Sequence, residues 1–236
     1  MEHPVTAESI VGLAVFRKLS KTLREQIANL AVGRAYPAGS IILEYHDRSH
    51  EVFFIVSGAV RVAYLTSAGK EITFRDQSAG EAFGLLSAVD GQPRSATVHA
   101  LQDSFVVILR NHDFRTLLTT QPDFANAVMC QLSSLVRSLS ARVIEYSALQ
   151  VANRVRAELL RLARPDSRTP LSGVLSPAPT HAEIASRVGT HREAVTRELN
   201  ALGRAGLLAR DGHSIVITDL KKLRALCARD LGLEVF

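Results

Sequence analysis

Residues 180 to 208, THAEIASRVGTHREAVTRELNALGRAGLL, constrain this chain more tightly than any other stretch. Thr180 with Glu183, and Thr190 with Glu193, both match the threonine-x-x-glutamate pattern. In that pattern a hydroxyl and a carboxylate reciprocally satisfy the free N–H groups that begin a helix. Gly189, between the two pairs, supplies the backbone freedom of a sharp turn. Ile184, Ala185 and Val188 give the first helix an apolar side, and Val195, Leu199 and Leu202 give the second its own. At about 100° per residue, Glu193, Thr196, Arg197 and Asn200 fall opposite that side, with Arg192 in the first turn. The planar fork of arginine matches the O6 and N7 acceptors of guanine, and a glutamate accepts from the amino group of cytosine. The layout is that of a helix-turn-helix, whose second helix enters the major groove of double-stranded DNA.

Taken alone, Glu193 and Arg197 equally describe a solvated helix face with an i,i+4 ion pair. The wider context separates the two readings. Asp211-Gly212 is a tight-turn signal, and the alternating HSIVIT run after it reads as a short strand, so a two-stranded wing follows the helices. Charge agrees. Up to Ser147 the chain carries 14 Lys/Arg and 14 Asp/Glu, leaving 28 − 14 = 14 against 23 − 14 = 9 from Ala148 onward, so the whole +5 lies in the C-terminal part. A polyanion partner concentrates basic residues in this way.

Short β-branched and aromatic runs separated by glycines extend from Tyr36 to near Arg110: PAGSIIL, VFFIVSGAVRVAYL, AGKEITF, AGEAFG, ATVHAL and SFVVIL. They imply an all-β barrel or jelly roll. Before it, Phe16, Leu19, Leu23, Ile27 and Leu30 predict a helical segment over 9–32; after it, HDFRTLLTT predicts a short helix. Phe124, Val128, Leu132, Leu135, Leu139, Val143 and Tyr146 then recur at near-heptad spacing, with Met129, Val136 and Ile144 as a second apolar flank. That pattern predicts a long helix over 122–146 that forms a homodimer seam, packs on the β domain, or does both. A break at Ser147–Leu149 precedes the helix QVANRVRAELLRLA, and a Pro/Ser-rich loop at 165–179 leads to the reading head. The expected division is 1–118, N-terminal helix plus β-roll; 119–147, dimerisation helix; and 148–236, winged helix-turn-helix. The fold class is α+β. No run approaches the roughly 20 apolar residues of a membrane span. With no signal-peptide pattern and two cysteines, Cys130 and Cys227, the cytoplasm is the expected location and a disulfide framework is not expected.

This order of parts resembles the cAMP receptor protein/fumarate-nitrate regulator (CRP/FNR) family of bacterial transcription regulators over essentially the entire chain. The stretches that carry it are PAGSII at 37–42, FFIVSGAVRV at 53–62, GEAFG at 80–84, PRSATVHA at 93–100, VANRVRAELLRLA at 151–163 and HREAVTREL at 191–199. The resemblance implies a β-roll effector domain, a long dimer helix and a winged helix-turn-helix. It implies that Arg192, Glu193 and Arg197 read a palindromic operator. Arg192 is similar to the receptor-protein branch, which prefers TGTGA-like half-sites; Thr180, His191 and His213 match phosphate-contacting positions there. The family's phosphate cassette is matched at Phe83-Gly84 and Arg94-Ser95, but Leu85 stands where cyclic-nucleotide binders carry the glutamate that holds the ribose. On the long helix Ser140 matches one adenine-contacting position, beside Leu139 where a threonine is expected.

Both leucines argue against cAMP, because a site built around a polar pair rejects strongly when one partner is missing. An effector other than cAMP is therefore expected, with a cAMP-responsive regulator as the alternative. Gly84, Leu85, Arg94, Ser95 and Ser140 are the candidate effector site; Arg94 equally suits a salt bridge inside the β-roll. An iron–sulfur cluster needs four cysteine ligands and the chain has two. His46, His50, His99 and His112 are the only candidate haem ligands in the β-roll; His46 and His50, beside Asp47 and Glu51, are read as the edge of a solvated turn and not as a metal site. RNA polymerase is a candidate partner for the 165–179 loop. Switching is expected to pivot at Ser147. A cyclic-nucleotide-sensing subunit would share the β-roll but lack the reading head, and a metabolic enzyme would need a nucleophile–base pair or phosphate loop that the chain lacks.

Overall fold

The computed structural model describes residues 2–67, 69, 71–166, 169 and 171–228. The chain divides into two compact units, one running to Arg137 and one beginning at Ser138. The first holds β1 (Glu2–His3), α1 (Ala7–Ile10), α2 (Lys21–Leu30), β2 (Val32–Tyr36), β3 (Ile41–Leu43), β4 (Val52–Ser57), β5 (Ala59–Leu65) and β6 (Glu71–Ser78). Then come β7 (Ala82–Phe83), α3 (Leu85–Asp90), β8 (Thr97–Ala100), β9 (Ser104–Leu109), α4 (Asn111–Thr120) and the start of α5 (Pro122–Ala148). Two antiparallel sheets, ordered β1-β2-β9-β4-β7 and β3-β8-β5-β6, form the β-roll.

The unbroken apolar runs of β4 and β9 follow from burial on both faces. Successive side chains of a strand point to opposite sides. Phe53, Ile55, Val106 and Ile108 therefore share a core with Leu43, Val60 and Val98 of the second sheet. Val52, Phe54, Val107 and Leu109 face a helical layer that includes Ile10, Phe16, Ile27, Phe114 and Phe124. Phe16 packs 4.6 Å from Phe54, ring centre to ring centre. Each such side chain, fully buried, contributes about 1.5–3 kcal/mol.

Several expectations shift. The helical segment expected over 9–32 is two helices, because the Ser20 hydroxyl accepts from the Leu23 N–H and starts α2 afresh. Leu30 ends up exposed. Strand β2 begins at Val32, ahead of the expected Tyr36, and the LLSAVD run after Gly84 forms α3. The stripe on α5 is divided: Phe124 and Val128 are buried in the helical layer, whereas Leu139 and Val143 are 45% and 63% exposed.

The second unit contains the end of α5, α6 (Val151–Leu162), β10 (Arg164–Pro165), β11 (Gly173–Leu175), α7 (His181–Val188), α8 (Arg192–Arg204), β12 (Leu208–Asp211), β13 (Ser214–Ile217) and α9 (Leu220–Ala228). The loop expected at 165–179 thus contains β11, which makes the wing part of a four-stranded sheet ordered β10-β11-β13-β12. Ser167, Arg168 and Pro170 of that loop, and residues 229–236 of the expected C-terminal domain, lie outside the described residues. Val155, Leu159, Leu175, Ile184, Val195, Leu202, Ile215 and Leu223 close one core.

Around that core runs a network of buried charge. Glu158 is fully buried on α6, and its carboxylate accepts from Arg142 of α5 at 3.2 Å, from Arg187 of α7 at 3.4 Å and from Arg161. Arg161 also reaches Glu145. Burial lowers the pKa of Arg161, but Glu158 and Glu145 outweigh it and leave the value raised. The Tyr146 hydroxyl donates to the Arg187 carbonyl at 2.8 Å. Ser147 itself lies inside α5, which runs on to Ala148, so the break falls at Leu149–Gln150. A pivot at Ser147 would have to break these ties, since they join residues on both sides of it.

Candidate nucleic-acid interface

The two helices of the reader arise from their caps. Thr180 caps α7 as expected: its hydroxyl accepts from the Glu183 N–H at 3.2 Å, and the Glu183 carboxylate accepts from the Thr180 N–H at 2.8 Å. The second expected capping box does not form. His191, not Thr190, is the N-cap of α8, with no side-chain cap. The reason lies at the end of α7, where Gly189 takes a φ of +63° and both its N–H and that of Thr190 bond to the Ala185 carbonyl. With its N–H so engaged, Thr190 has none to give the Glu193 carboxylate, and α8 starts one residue later. One consequence is that Glu193 has no capping duty.

The inner face of α8 buries Val195, Leu199 and Leu202. Its one buried carboxylate, Glu198, accepts from Arg156 of α6 at 2.6 Å. The outer face is different. Arg192, Glu193, Thr196, Arg197, Asn200 and Arg204 line one open concave patch. Among the described residues, the side chains of Arg192, Glu193 and Arg197 make no hydrogen bond or ion pair, so the i,i+4 pair of Glu193 and Arg197 is not formed. These groups are exposed and hold their full hydrogen-bonding capacity for another molecule.

Two adjoining clefts extend the surface. One is bordered by His181, Asn200, Arg204 and Arg210, the other by Thr180, His181, Arg210, His213 and Ser214. The wing turn is one residue later than expected: Asp211 pairs with Ser214, leaving Gly212 and His213 as the two-residue loop. His213 accepts, through its carbonyl, the Ala178 N–H at 2.8 Å. The structure therefore gathers Arg192, Glu193, Thr196, Arg197, Thr180, His191 and His213 on the reader. Sequence reasoning missed His181, Arg204 and Arg210. Arg204 was legible, since it lies seven residues from Arg197 and two helical turns bring it to the same face. Arg210 was not, because its place depends on the register of β12 against β13.

The candidate effector residues are placed otherwise. Arg94 is 2% exposed and is engaged on all sides. It donates to Ser49 Oγ at 3.0 Å, to the Gly84 carbonyl at 3.1 Å and to the Glu51 carbonyl at 2.9 Å, with the Glu51 carboxylate at 3.5 Å. Its guanidinium also lies 5.8 Å from the centre of the Phe53 ring. Burial lowers its pKa, partly countered by Glu51 and Asp47. Leu85 is buried in the helical layer and Ser95 is exposed. Ser140, also exposed, belongs to the second unit. His50 Nε2 lies 3.2 Å from the Gly91 carbonyl, and the His46 ring packs at a tilt against Tyr45, 4.0 Å between centres. No group of three metal-binding side chains occurs among the described residues.

Residues 33–121 match the cyclic nucleotide-binding domain profile, and residues 153–226 match the Crp-like helix-turn-helix domain. The chain is 30% identical over 184 residues to the cAMP-activated global transcriptional regulator CRP of Escherichia coli O157:H7, covering 77% of this chain and 87% of that protein. It is 31% identical over 175 residues to the cyclic AMP receptor protein of Thermus thermophilus, covering 74% and 78%. The solved structure of a CRP/FNR-family transcriptional regulator from Thermus thermophilus superimposes with a TM-score of 0.69 at 26% identity, covering 84% of this chain and 99% of that one. A β-roll, a long helix and a winged reader with outward-facing arginines define a DNA-binding transcription regulator. The chain belongs to the CRP/FNR family, whose members regulate transcription and are not enzymes.

Proposed function

We propose that this regulator reads its operator through Arg192, Glu193 and Arg197, positioned over a palindrome by phosphate contacts from Thr180, His191 and His213. The observation that carries the reading is that, among the described residues, the three reading side chains have no hydrogen-bond or ion-pair partner, beside a Glu198 one turn away that is held by Arg156. Thr196 borders the same patch. The operator is TGTGA-like in each half-site, and two half-sites require a homodimer. Support for a seam on α5 comes from Met129, Val136 and Val143, spaced by sevens, with Leu132, Leu139 and Tyr146 offset by three. All but Leu132 are exposed large apolar or aromatic residues. The proposed parts are 1–118, 119–147 and 148–236. Among the described residues no helix is long and apolar enough to cross a membrane. The cytoplasm is the proposed site of action, and RNA polymerase the proposed partner of the 165–179 loop.

The effector is proposed to be a molecule other than cAMP. Leu85 offers no acceptor to a ribose hydroxyl, and Arg94 already spends its donors on Ser49, Gly84 and Glu51. Neither an iron–sulfur cluster nor haem is part of the reading. The second reading, activation by cAMP, is favoured by one observation: both curated relatives above are named for that nucleotide. Selection from random duplexes followed by competition binding tests both parts. Wild type is expected to hold its selected site against random DNA with no gain on adding cAMP, and Arg197→Ala to lose roughly tenfold or more of that preference while salt-sensitive general binding survives. Equal discrimination by Arg197→Ala would overturn the assignment of Arg197; strong stimulation by cAMP would overturn the effector reading.

A further inference from the structure

His181 opens α7, immediately after the capping threonine, and its ring reaches across to α8. Nδ1 lies 2.7 Å from the hydroxyl of Thr196. That hydroxyl donates its own hydrogen to the Arg192 carbonyl at 3.0 Å. Its oxygen is therefore left to accept, and Nδ1 of His181 must carry the proton. One hydrogen-bonded chain thus runs from α7 through Thr196 to the backbone of Arg192, and Arg197 follows Thr196 directly. The other ring nitrogen, Nε2, is free of this chain.

Resting on the reading of α8 as the base-contacting helix, we propose that His181 is a positioning residue of the reader. It fixes the rotation of the Arg192–Arg197 face through Thr196, and contact with DNA draws a second proton onto its free nitrogen.

The surroundings give the direction. Burial, and then the charges of Arg210 and Arg192, lower the pKa of His181 below its ordinary value. The groups facing it are Arg192 and Arg204 from α8, Arg210 from β12 and His213 from the wing turn, with Glu183 on its own helix held by Thr180. The environment is thus cationic and disfavours the charged ring in the free protein. DNA phosphates neutralise the same arginines and reverse that bias, so the pKa rises on binding. The sign follows from linkage: the bound state takes up the proton, so affinity grows as pH falls below the bound-state pKa. The gain levels off once pH is below the free-protein value, which lies under 6.5. The bridge to Thr196 survives protonation, because Nδ1 donates in both states. Protonation adds a charge and a donor at Nε2, on the cleft shared with Arg210.

The test is DNA binding by the full-length protein, followed by fluorescence anisotropy at constant ionic strength between about pH 5.5 and 8, a range that brackets the ordinary histidine pKa. The duplex is one selected from random DNA by wild type. Each proton taken up per reading head changes the dissociation constant by about tenfold per pH unit at most. His181→Ala is expected to weaken preference for the selected site several-fold at pH 8. His181→Gln, whose amide can still donate to Thr196, should restore most of that preference and show a flatter pH profile than wild type. His191 and His213 contribute to every profile, so the wild-type minus His181→Gln difference isolates the one ring. A His181→Gln profile as steep as that of wild type overturns the proton uptake; a His181→Ala preference equal to wild type at pH 8 overturns the positioning role. Should His181→Ala fail to fold, the His181→Gln profile alone decides. Arg197→Ala on the same duplex separates two failures. If it discriminates as wild type does, the reading of α8 is wrong; if it loses discrimination while both His181 variants match wild type, only the role of His181 is wrong.

Discussion

Arginine serves opposite purposes on the outer face of α8 and inside the β-roll. On the outer face of α8 the side chains of Arg192 and Arg197 are exposed and, among the described residues, make no hydrogen bond or ion pair. In the β-roll, Arg94 is enclosed and donates to a hydroxyl, two carbonyls and a carboxylate. Arg61 behaves like Arg94, with its Nε and a terminal nitrogen on the Asp76 carboxylate at 2.9 and 3.2 Å. A buried donor left unmatched costs about 1–3 kcal/mol, so the fold either supplies its partners or exposes it to water. Exposed and unpartnered arginines are available to a ligand without that cost. The contrast separates groups that build this molecule from groups proposed to meet DNA.

The largest effect should come from breaking the inward network behind the reader. Glu158 is fully buried and faces Arg142, Arg161 and Arg187. Removing one partner of a buried ion pair leaves charge uncompensated and typically costs about 3–5 kcal/mol. Glu158→Gln keeps the shape and removes the charge; Glu145 still answers Arg161, so a loss near the lower end, about 3 kcal/mol, is expected. Urea denaturation followed by a probe in the reader would show it as a lower midpoint. An unmoved midpoint would mean that these arginines are solvated and the contrast with Arg192 and Arg197 is false.

A smaller effect is expected from Arg94→Met, which keeps the length of the side chain and removes every donor. The Gly84 and Glu51 carbonyls lose their partner inside the fold, for a destabilisation of about 2 kcal/mol in the ligand-free protein. The measurement is the thermal midpoint of the β-roll without added ligand. A group held in reserve for an anion would leave that midpoint unchanged or raise it, which would place Arg94 with Arg197 instead of opposite it.

How far the sequence reached follows from what each signal depends on. Apolar periodicity showed the β-roll, the long helix and both reader helices, because burial of one face is written along the chain itself. The Thr180–Glu183 cap was legible for the same reason: its four residues interact only with one another. The Thr190–Glu193 pair has the same spelling and a different outcome, since the end of α7 claims Thr190 first. Strand β11 stayed hidden in its loop because pairing with β13, forty residues later, is what makes it a strand. His181 reveals its role only through Thr196, fifteen residues away. The self-satisfied state of Arg94 was open for a similar reason, as Ser49, Glu51 and Gly84 converge on it from three segments.

Thr180 sits between the two kinds of side chain and gives the finest test of the contrast. Its hydroxyl accepts from the Glu183 N–H and donates to the Glu183 carboxylate at 2.9 Å, yet it is exposed at the cleft that holds His213. Replacing an N-cap threonine with alanine typically costs about 1 kcal/mol of stability. If Thr180 is only a cap, Thr180→Ala should lower the melting midpoint and leave DNA binding by the folded protein unchanged. If it also meets a phosphate, affinity should fall by a similar factor for the selected site and for random duplexes, because phosphate contacts carry no sequence information. Thr180→Ser separates the two effects: it keeps the hydroxyl, so both stability and binding should return nearly to wild type. The proposed phosphate role predicts parallel losses in Thr180→Ala, and unchanged affinity on both duplexes would return Thr180 to the structural side, with Arg94.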